Sequence, residues 1–304
     1  MDQNQNVLAA NSGTGNSLAT PSELLSSSWK LFKVNWKELA LICVVPALVN
    51  LVAVIFGATG IGTIVAIPLM LFGAVLFIAV IPGLVDAVRK ISADSLAKIS
   101  FKEQYKIGLG LFWPFLLIVV IQTLSAMGAW VLFIIPGIAV SIYLSMTVFT
   151  MVVDGHRGFS ALTESFALVR GRWWPVFGRI LILALLNIAV SIALVIVTIP
   201  FSFAFGIVGK FVPNLLIYAI MIPFTFIYDY KLYESLKATR STKGAGNFRK
   251  WLIAFITIAV IAALAAIAAV PFAISNLLPD RSQLNTWSPG MKYSSTHDSS
   301  STEI

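Results

Sequence analysis

The chain has 304 residues, of which 58% are hydrophobic and only 11% are charged, and its formal net charge is +8. Soluble globular domains carry charge on about a quarter of their residues, so this composition excludes an ordinary water-soluble enzyme or binding domain. The charges cluster between uncharged runs of about 20 residues, the length that crosses a hydrocarbon core of roughly 30 Å. We therefore expect an all-α, polytopic transmembrane bundle.

The amino-terminal segment is polar and rich in Asn, Ser, Gly and Thr. It lacks the short basic region followed at once by an apolar core that marks a cleavable signal peptide, so we expect the first span to remain in the mature protein. Residues 1–20 contain too few apolar side chains to offset the entropy lost on ordering, which predicts a disordered cytoplasmic tail.

Uncharged apolar runs predict about seven transmembrane helices, near residues 39–58, 62–85, 110–129, 132–153, 178–199, 211–230 and 251–275. The third and fourth runs form one uncharged stretch that is too long for a single helix. We place a tight hairpin there, around Met127, Gly128 and Ala129. The single cysteine, Cys43, lies in the first run, so the chain offers no thiol pair for a disulfide or a metal site.

The basic residues are distributed unevenly about these spans. With the amino terminus in the cytoplasm, eighteen of the 21 lysines and arginines fall on the inner side, and only Lys210, Arg281 and Lys292 fall outside. This positive-inside asymmetry predicts a cytoplasmic amino terminus and an external carboxyl terminus. It also explains the basic balance by topology, so we expect no nucleic-acid partner.

Three segments that precede spans share one spacing of apolar residues. The sets are Leu25, Trp29, Phe32 and Trp36; Phe101, Tyr105, Gly108 and Phe112; and Leu162, Phe166, Val169 and Trp173. Each set lies at i, i+4, i+7 and i+11, which is one face of a helix, and polar or basic residues lie between its members. This pattern is typical of an amphipathic helix in the headgroup zone. Since two spans follow each segment, we predict three repeats of an interfacial helix plus a hairpin, with a seventh helix appended.

Two of these segments begin with the spacing of a capping box. In Thr20 to Glu23 and in Ser100 to Glu103, the hydroxyl is expected to accept from a free backbone N–H while the glutamate reaches back. The third segment lacks the pattern, although Ser160 is a candidate cap.

Aromatic and basic residues mark each turn from lying on the membrane to crossing it, as in "RWWPVFGRILIL". Indole rings are stable at the interface, and each arginine near an anionic surface contributes up to about 1 kcal/mol. We predict interface anchors at Trp29, Trp36, Trp113, Arg170, Arg172, Trp173, Trp174 and Trp251. Two interpretations stay open. In the first, the anchors only set topology and depth. In the second, the arginines line a headgroup pocket together with the aspartates that end the hairpins, Asp86, Asp154 and Asp229.

The run "DGHRGFSALTESFALVRGRWWPVFGRILIL" combines an aspartate–glycine turn, a short amphipathic helix, aromatic anchors and a new span. It resembles the membrane domain of bacterial glycerophosphoryl diester phosphodiesterases and of related multi-pass bacterial inner-membrane proteins, and the resemblance covers roughly residues 20–240. It implies a multi-span protein of the bacterial plasma membrane, without an assigned reaction. Catalysis in those phosphodiesterases resides in a separate barrel of about 250 residues, for which no stretch of this chain is available.

"GHRG", residues 155–158, matches the tripeptide that opens that catalytic barrel. A metal-dependent phosphodiester site needs several carboxylates and a second histidine, but the only other histidine, His297, lies in the opposite tail. We therefore interpret His156 as a loop residue, and we expect no catalytic residue, cofactor or metal.

Polar residues inside the predicted spans include Gln122, Asn187 and Asn214. They are most simply explained as hydrogen-bonding between helices, although a permeation path lined by them is an alternative. We predict a non-enzymatic module that engages lipid, including anionic headgroups, or a membrane partner such as a second copy. The alternative is a transporter or flippase for an apolar or amphipathic solute, which a polar groove reaching mid-membrane would favour.

The predicted organisation has four parts. Residues 1–20 form a disordered cytoplasmic tail, residues 21–240 a six-span membrane domain, residues 241–278 a basic linker and the seventh helix, and residues 279–304 a disordered extracytoplasmic tail.

Overall fold

The computed structural model describes residues 18–57, 62–209, 211–239 and 246–277. Helices dominate these residues and no strand occurs among them, which confirms the all-α class. The chain divides into two compact units, Met1–Ala259 and Val260–Ile304, and the first unit contains all three repeats. Apart from residues 18–20, the two predicted tails lie outside the described residues.

The helices follow one another with few intervening residues. In chain order they are α1 (Pro21–Gly57), α2 (Thr63–Ala93), α3 (Phe101–Gly110), α4 (Phe112–Leu132), α5 (Ile134–Tyr143), α6 (Thr147–Val152), α7 (Phe159–Val169), α8 (Trp173–Gly209), α9 (Phe211–Leu216), a π-helix (Ile217–Met221), α10 (Ile222–Ala238) and α11 (Phe248–Leu277).

Six described helical stretches are long and apolar enough to cross a membrane. They are Pro21–Gly57, Thr63–Ala93, Phe112–Leu132, Ile134–Val152, Trp173–Pro200 and Phe248–Val270. The chain is therefore a multi-pass integral membrane protein. The remaining predicted span, 211–230, falls on α9, the π-helix and the start of α10, so that stretch is helical but divided into shorter segments.

Only one of the two predicted capping boxes forms. At the start of α1, Thr20 N donates to Glu23 Oε2 (2.8 Å) and Glu23 N donates to Thr20 Oγ1 (3.3 Å), as predicted. The prediction of a capping box at the start of α3 is wrong, because the Ser100 side chain forms no capping hydrogen bond. Glu103 instead accepts from Lys90 Nζ at 2.7 Å.

The hairpin between the third and fourth spans turns at Phe133, not around Met127, Gly128 and Ala129. Helix α4 continues through Gly128 because this glycine serves a different purpose. A Cβ atom at position 128 would lie 1.8 Å from the carbonyl oxygen of Phe255. Gly128 therefore lets α11 approach the α4 backbone closely, and the turn falls where Phe133 adopts an extended conformation.

The three repeats bend at corresponding residues. Asn35 has non-helical angles (φ −114°, ψ 15°) inside α1, Leu111 separates α3 from α4, and residues 170–172 separate α7 from α8. Each bend immediately precedes the aromatic residue with which the predicted spacing ends, namely Trp36, Phe112 or Trp173. Residues 21–34, α3 and α7 are therefore the three predicted interfacial helices, and we call them the pre-span helices.

The buried residues of the first pre-span helix are not those of the predicted apolar face, except for Phe32. Leu24, Ser28 and Phe32 are buried, whereas Trp29 and Trp36 are about half exposed. Ser28 corresponds in the repeat to Gln104 and Ser165, and all three are almost completely buried (0%, 1% and 0% exposed). The repeat therefore preserves a buried polar position that the apolar spacing alone does not reveal.

The pre-span helices close the repeats into a ring. Helix α3 crosses α2 so closely that a Cβ atom at Gly108 would lie 1.9 Å from the carbonyl oxygen of Ala79. Helix α7 packs on the α5–α6 stretch, where Ser165 Oγ donates to Tyr143 O at 2.8 Å. The start of α1 packs on α10, with the rings of Trp29 and Phe224 6.1 Å apart. The pre-span helix of each repeat thus contacts the second helix of the preceding repeat, and that of the first repeat contacts the second helix of the third.

The core of the first unit is concentrated at the end where the pre-span helices lie. On α2, for example, Leu84, Val85 and Ile91 are fully buried, whereas Ile64, near the other end, is 82% exposed. Exposed aliphatic residues along the spans are the expected contact with lipid tails, since hydrocarbon solvates them as well as a protein core does.

Candidate membrane-interface site and mid-span groove

Five of the six predicted tryptophan anchors are exposed. Trp113 and Trp174 are each 74% exposed, and Trp29, Trp36 and Trp251 are between 47% and 61% exposed. Because an indole ring combines an apolar body with a polar N–H, it is most stable at the level of the lipid headgroups. Their exposure leaves these five rings available for contact with lipid, as the anchor prediction requires.

Lysines accompany two of these rings. Lys33 Nζ lies 6.0 Å from the ring centre of Trp29, and Lys37 Nζ lies 5.9 Å from that of Trp36. The exposed lysines here form two rows. Lys30, Lys33 and Lys37 lie on α1, whereas Lys98 precedes α3 and Lys102 and Lys106 lie on it. None of the six forms a salt bridge with a described acid. We call them the lysine rows.

Arg172 points into the protein. Its Nη2 donates to the carbonyl oxygens of Leu168 (3.1 Å) and Leu236 (3.2 Å), and its Nη1 donates to Thr239 Oγ1. These acceptors lie at the carboxyl ends of α7 and α10, where the helix dipole favours a cation. Burial lowers the pKa of Arg172, but a guanidinium keeps its charge in proteins. Its role in this structure is to join two helix ends.

Two other predicted anchors also contact protein. Trp173 stacks on Phe177 with ring centres 5.1 Å apart, and its indole N–H donates to Ala139 O at 3.4 Å. The guanidinium of Arg170 lies 5.9 Å from the ring centre of Phe166.

Asn35 and Arg179 also join separate segments of the protein, although neither is among the predicted anchors. Asn35 occupies the repeat position of Arg172 and acts in the same way, because its Nδ2 donates to Leu31 O and to Ser95 O, both at 3.2 Å. Arg179 donates to Ala19 O (2.8 Å) and Leu18 O (3.1 Å), which ties the chain before α1 to α8. Comparing the repeats position by position would have revealed Asn35, since the tenth residue after Leu25 corresponds to Arg172.

Two of the aspartates that end the hairpins have separate partners within the protein. Asp86 pairs with Lys90 at 3.0 Å, while Asp154 accepts from Tyr233 and from Lys237. Burial, followed by the bond to Asp154, raises the pKa of Tyr233, so its hydroxyl remains a donor at neutral pH. Among the described residues, no three His, Cys, Asp or Glu side chains are grouped as a metal site would require.

His156 lies in the loop before α7. Its Nδ1 is 3.0 Å from Ser160 Oγ, and Ser160 is engaged there instead of acting as the cap of α7. The residue before α7 is Gly158, which makes no side-chain cap.

The fourth span is discontinuous at mid-length. Residues 144–146 interrupt it between α5 and α6, and the buried Ser165 of α7 satisfies the freed backbone groups. Its hydroxyl donates to Tyr143 O (2.8 Å) and accepts from Met146 N (3.1 Å). Non-helical backbone at membrane depth is tolerated only where protein or a cavity surrounds it.

A groove of about 500 Å³ lies beside this interruption. Gln122, Thr123 and Ser145 are its polar lining residues, and the others are apolar, including Phe115, Met127 and Trp130. The groove contains one of the polar residues expected of a permeation path. Asn187 does not line the groove. Its amide is hydrogen-bonded to Leu183 O and Thr225 Oγ1. The side chain of Asn214 lies outside the described set.

Comparison of the chain with protein families, with curated proteins and with solved structures gave no match.

Proposed function

We propose that this protein is a non-enzymatic membrane module that binds anionic lipid headgroups at the end where the pre-span helices lie. The observation that carries the proposal is the pairing of half-exposed tryptophans with exposed lysines on α1, continued by the second lysine row. Each lysine near an anionic surface contributes about 1 kcal/mol, while the indole rings hold the row at headgroup depth.

The two lysine rows belong to neighbouring repeats. Asn35 hydrogen-bonds to Ser95 O, which fixes the bend of α1 against the segment that leads to Lys98. This junction is where we expect an anionic headgroup to bind. Lys90 is not part of this surface, because Asp86 and Glu103 already neutralise it.

The proposal is tested on protein purified with its native lipid. The triple substitution Lys30→Gln, Lys33→Gln and Lys37→Gln is expected to lower retention of phosphatidylglycerol at least tenfold, since about 1 kcal/mol is lost per charge. The matched control replaces the same three residues by arginine, which preserves charge. Equal retention by the glutamine and arginine proteins, measured by mass spectrometry of the bound lipid, contradicts the proposal.

We further infer that the protein resides in a bacterial plasma membrane, with the lysine rows and the amino terminus facing the cytoplasm. Cysteine labelling tests the orientation, because Cys43 is the only native cysteine. In a Cys43→Ser background, Ser26→Cys should react with a membrane-impermeant maleimide only after lysis. Phe133→Cys, at the opposite hairpin turn, should react in intact cells. The reverse pattern overturns the orientation.

Transport of an amphipathic solute is the second candidate, and the mid-span groove is the observation that favours it. The test measures movement of a fluorescent neutral lipid between the leaflets of proteoliposomes, and a quencher added outside reports how much of the lipid lies in the outer leaflet. If the protein transports, movement exceeds that in empty liposomes and Gln122→Leu reduces it. Rates equal to those of empty liposomes exclude transport of that lipid.

A further inference from the structure

Gln122 places an unused amide at the middle depth of the membrane. It is the eleventh residue of the 21-residue helix α4, so a rise of 1.5 Å per residue puts it about 15 Å from the helix start. This is half of a hydrocarbon core of roughly 30 Å. No described residue is hydrogen-bonded to its side chain, although the residue is partly buried in the groove wall.

Several other polar side chains in the spans form hydrogen bonds within the protein. Asn50 donates to Pro46 O at 3.1 Å, Ser125 donates to Ile121 O at 2.7 Å, and Asn187 is bonded to its own helix and to Thr225. Lipid tails offer Gln122 no donor or acceptor, so an amide facing them carries an uncompensated desolvation cost. The group that meets Gln122 must therefore itself form hydrogen bonds.

The lining of the groove defines the chemistry of that group. None of the lining residues is charged, so an ionic group there would lack a counter-ion in a medium that strongly disfavours charge. The wall offers hydroxyls at Thr123 and Ser145 beside the Gln122 amide, and large apolar surfaces at Phe115, Met127 and Trp130. The volume of about 500 Å³ lies within the range of small-molecule sites.

We propose that this groove binds an uncharged amphiphile. An ester, amide, carbonyl or hydroxyl group of the ligand hydrogen-bonds to Gln122, and its apolar chain lies along Phe115, Met127 and Trp130. The inference goes beyond headgroup binding at the lysine rows and does not depend on it. It holds whether or not the ligand is moved across the membrane.

Photo-crosslinking in phosphatidylcholine proteoliposomes tests the site. The probes are a monoacylglycerol with a diazirine in its acyl chain and a diazirine alkane of the same length. The monoacylglycerol is expected to label the stretch from Phe115 to Trp130, and Gln122→Leu should reduce this labelling about fivefold, as the loss of one neutral hydrogen bond implies. Val120→Leu is the matched control, because Val120 lies on the same helix but outside the groove wall. Alkane labelling should not respond to either substitution.

A competition experiment needs no variant and guards against a misfolded one. Excess unlabelled monoacylglycerol should reduce labelling of the wild-type protein, whereas excess alkane should not. Labelling that is insensitive to both Gln122→Leu and the competitor overturns the proposal. So does efficient disulfide dimerisation of Gln122→Cys in a Cys43→Ser background, because a second copy would then occupy the groove. The glutamine triple variant of the lysine row should keep its groove labelling, so this proposal and headgroup binding can fail separately.

Discussion

At the scale of single residues, one hydroxyl bonds to the backbone on both sides of the interruption of the fourth span. Ser165 is completely buried and is bonded both to the carbonyl of Tyr143 and to the N–H of Met146. Its removal leaves a donor and an acceptor without partners in a medium that contains no water. An unsatisfied buried group costs about 1–3 kcal/mol.

We therefore predict that Ser165→Ala lowers the free energy of unfolding by about 1–3 kcal/mol and speeds hydrogen exchange at Met146. Ser141→Ala is the control, because Ser141 only donates to Gly137 O within its own helix. Thermal unfolding in detergent and exchange followed by mass spectrometry provide the readouts. Equal behaviour of the two variants would show that Ser165 does not hold the interruption.

Arg172 allows a second prediction at this scale. Replacing it by methionine keeps the apolar stem but removes the donors to Leu168, Leu236 and Thr239. We expect a lower melting temperature and unchanged retention of phosphatidylglycerol, because the guanidinium joins helix ends and does not face lipid. Loss of lipid retention at an unchanged melting temperature would instead assign Arg172 to a headgroup pocket.

At the scale of helices, the crossing of α2 and α3 depends on the absence of a side chain at Gly108. A Cβ atom there would lie 1.9 Å from Ala79 O, and a Cβ atom at Gly83 would lie 2.3 Å from Gln104 O. The two glycines therefore allow contact of backbone with backbone, which no rotamer change can restore once a methyl group intervenes.

Gly108→Ala should accordingly destabilise the protein by about 1–3 kcal/mol, the usual cost of overpacking. Gly110→Ala, two residues away on the same helix, should be neutral or slightly stabilising, because nothing lies within 4 Å of its Cβ position and alanine favours helix. The melting temperatures of the two variants, measured side by side, test this prediction. A melting temperature for Gly108→Ala as high as that for Gly110→Ala would refute the close crossing.

The sequence predicted the repeats well because apolar spacing and charge clusters are local signals. The bends before Trp36, Phe112 and Trp173 follow from it. It could not predict features that depend on distant partners. Glu103 pairs with Lys90 and does not cap α3, Gly128 meets a helix more than a hundred residues further along, and Arg172 hydrogen-bonds to two helix ends. Gln122 was recognised as polar, but only the packing of its neighbours shows that its amide is unpartnered.

At the scale of the whole ring, the short stretch before α1 is the joint between the first and third repeats. Ala19 N donates to Ser235 Oγ at 2.9 Å, and the carbonyl oxygens of Leu18 and Ala19 accept from Arg179. Leu18 and Ala19 therefore make long-range contacts, although the sequence suggested a disordered tail extending to residue 20.

Two truncations test this joint, each with an initiator methionine. A chain that starts at Leu18 retains these hydrogen bonds, whereas one that starts at Pro21 loses them together with the capping box of Thr20. We expect the second chain to be less stable than the first by at least about 2 kcal/mol, because it loses the three long-range hydrogen bonds and the two of the capping box, each worth roughly 0.5–1.5 kcal/mol. Identical unfolding of the two would mean that the ring does not depend on residues 18–20.

The contact between Ala19 and Ser235 has a consequence for how the three repeats are joined. Residues near the two ends of the three-repeat segment are neighbours, and the pre-span helix of each repeat packs on the second helix of another. The segment is therefore organised as a closed ring of three similar units joined head to tail. In such a ring the free ends lie at one of three junctions between units, here the junction that Ala19 and Ser235 close.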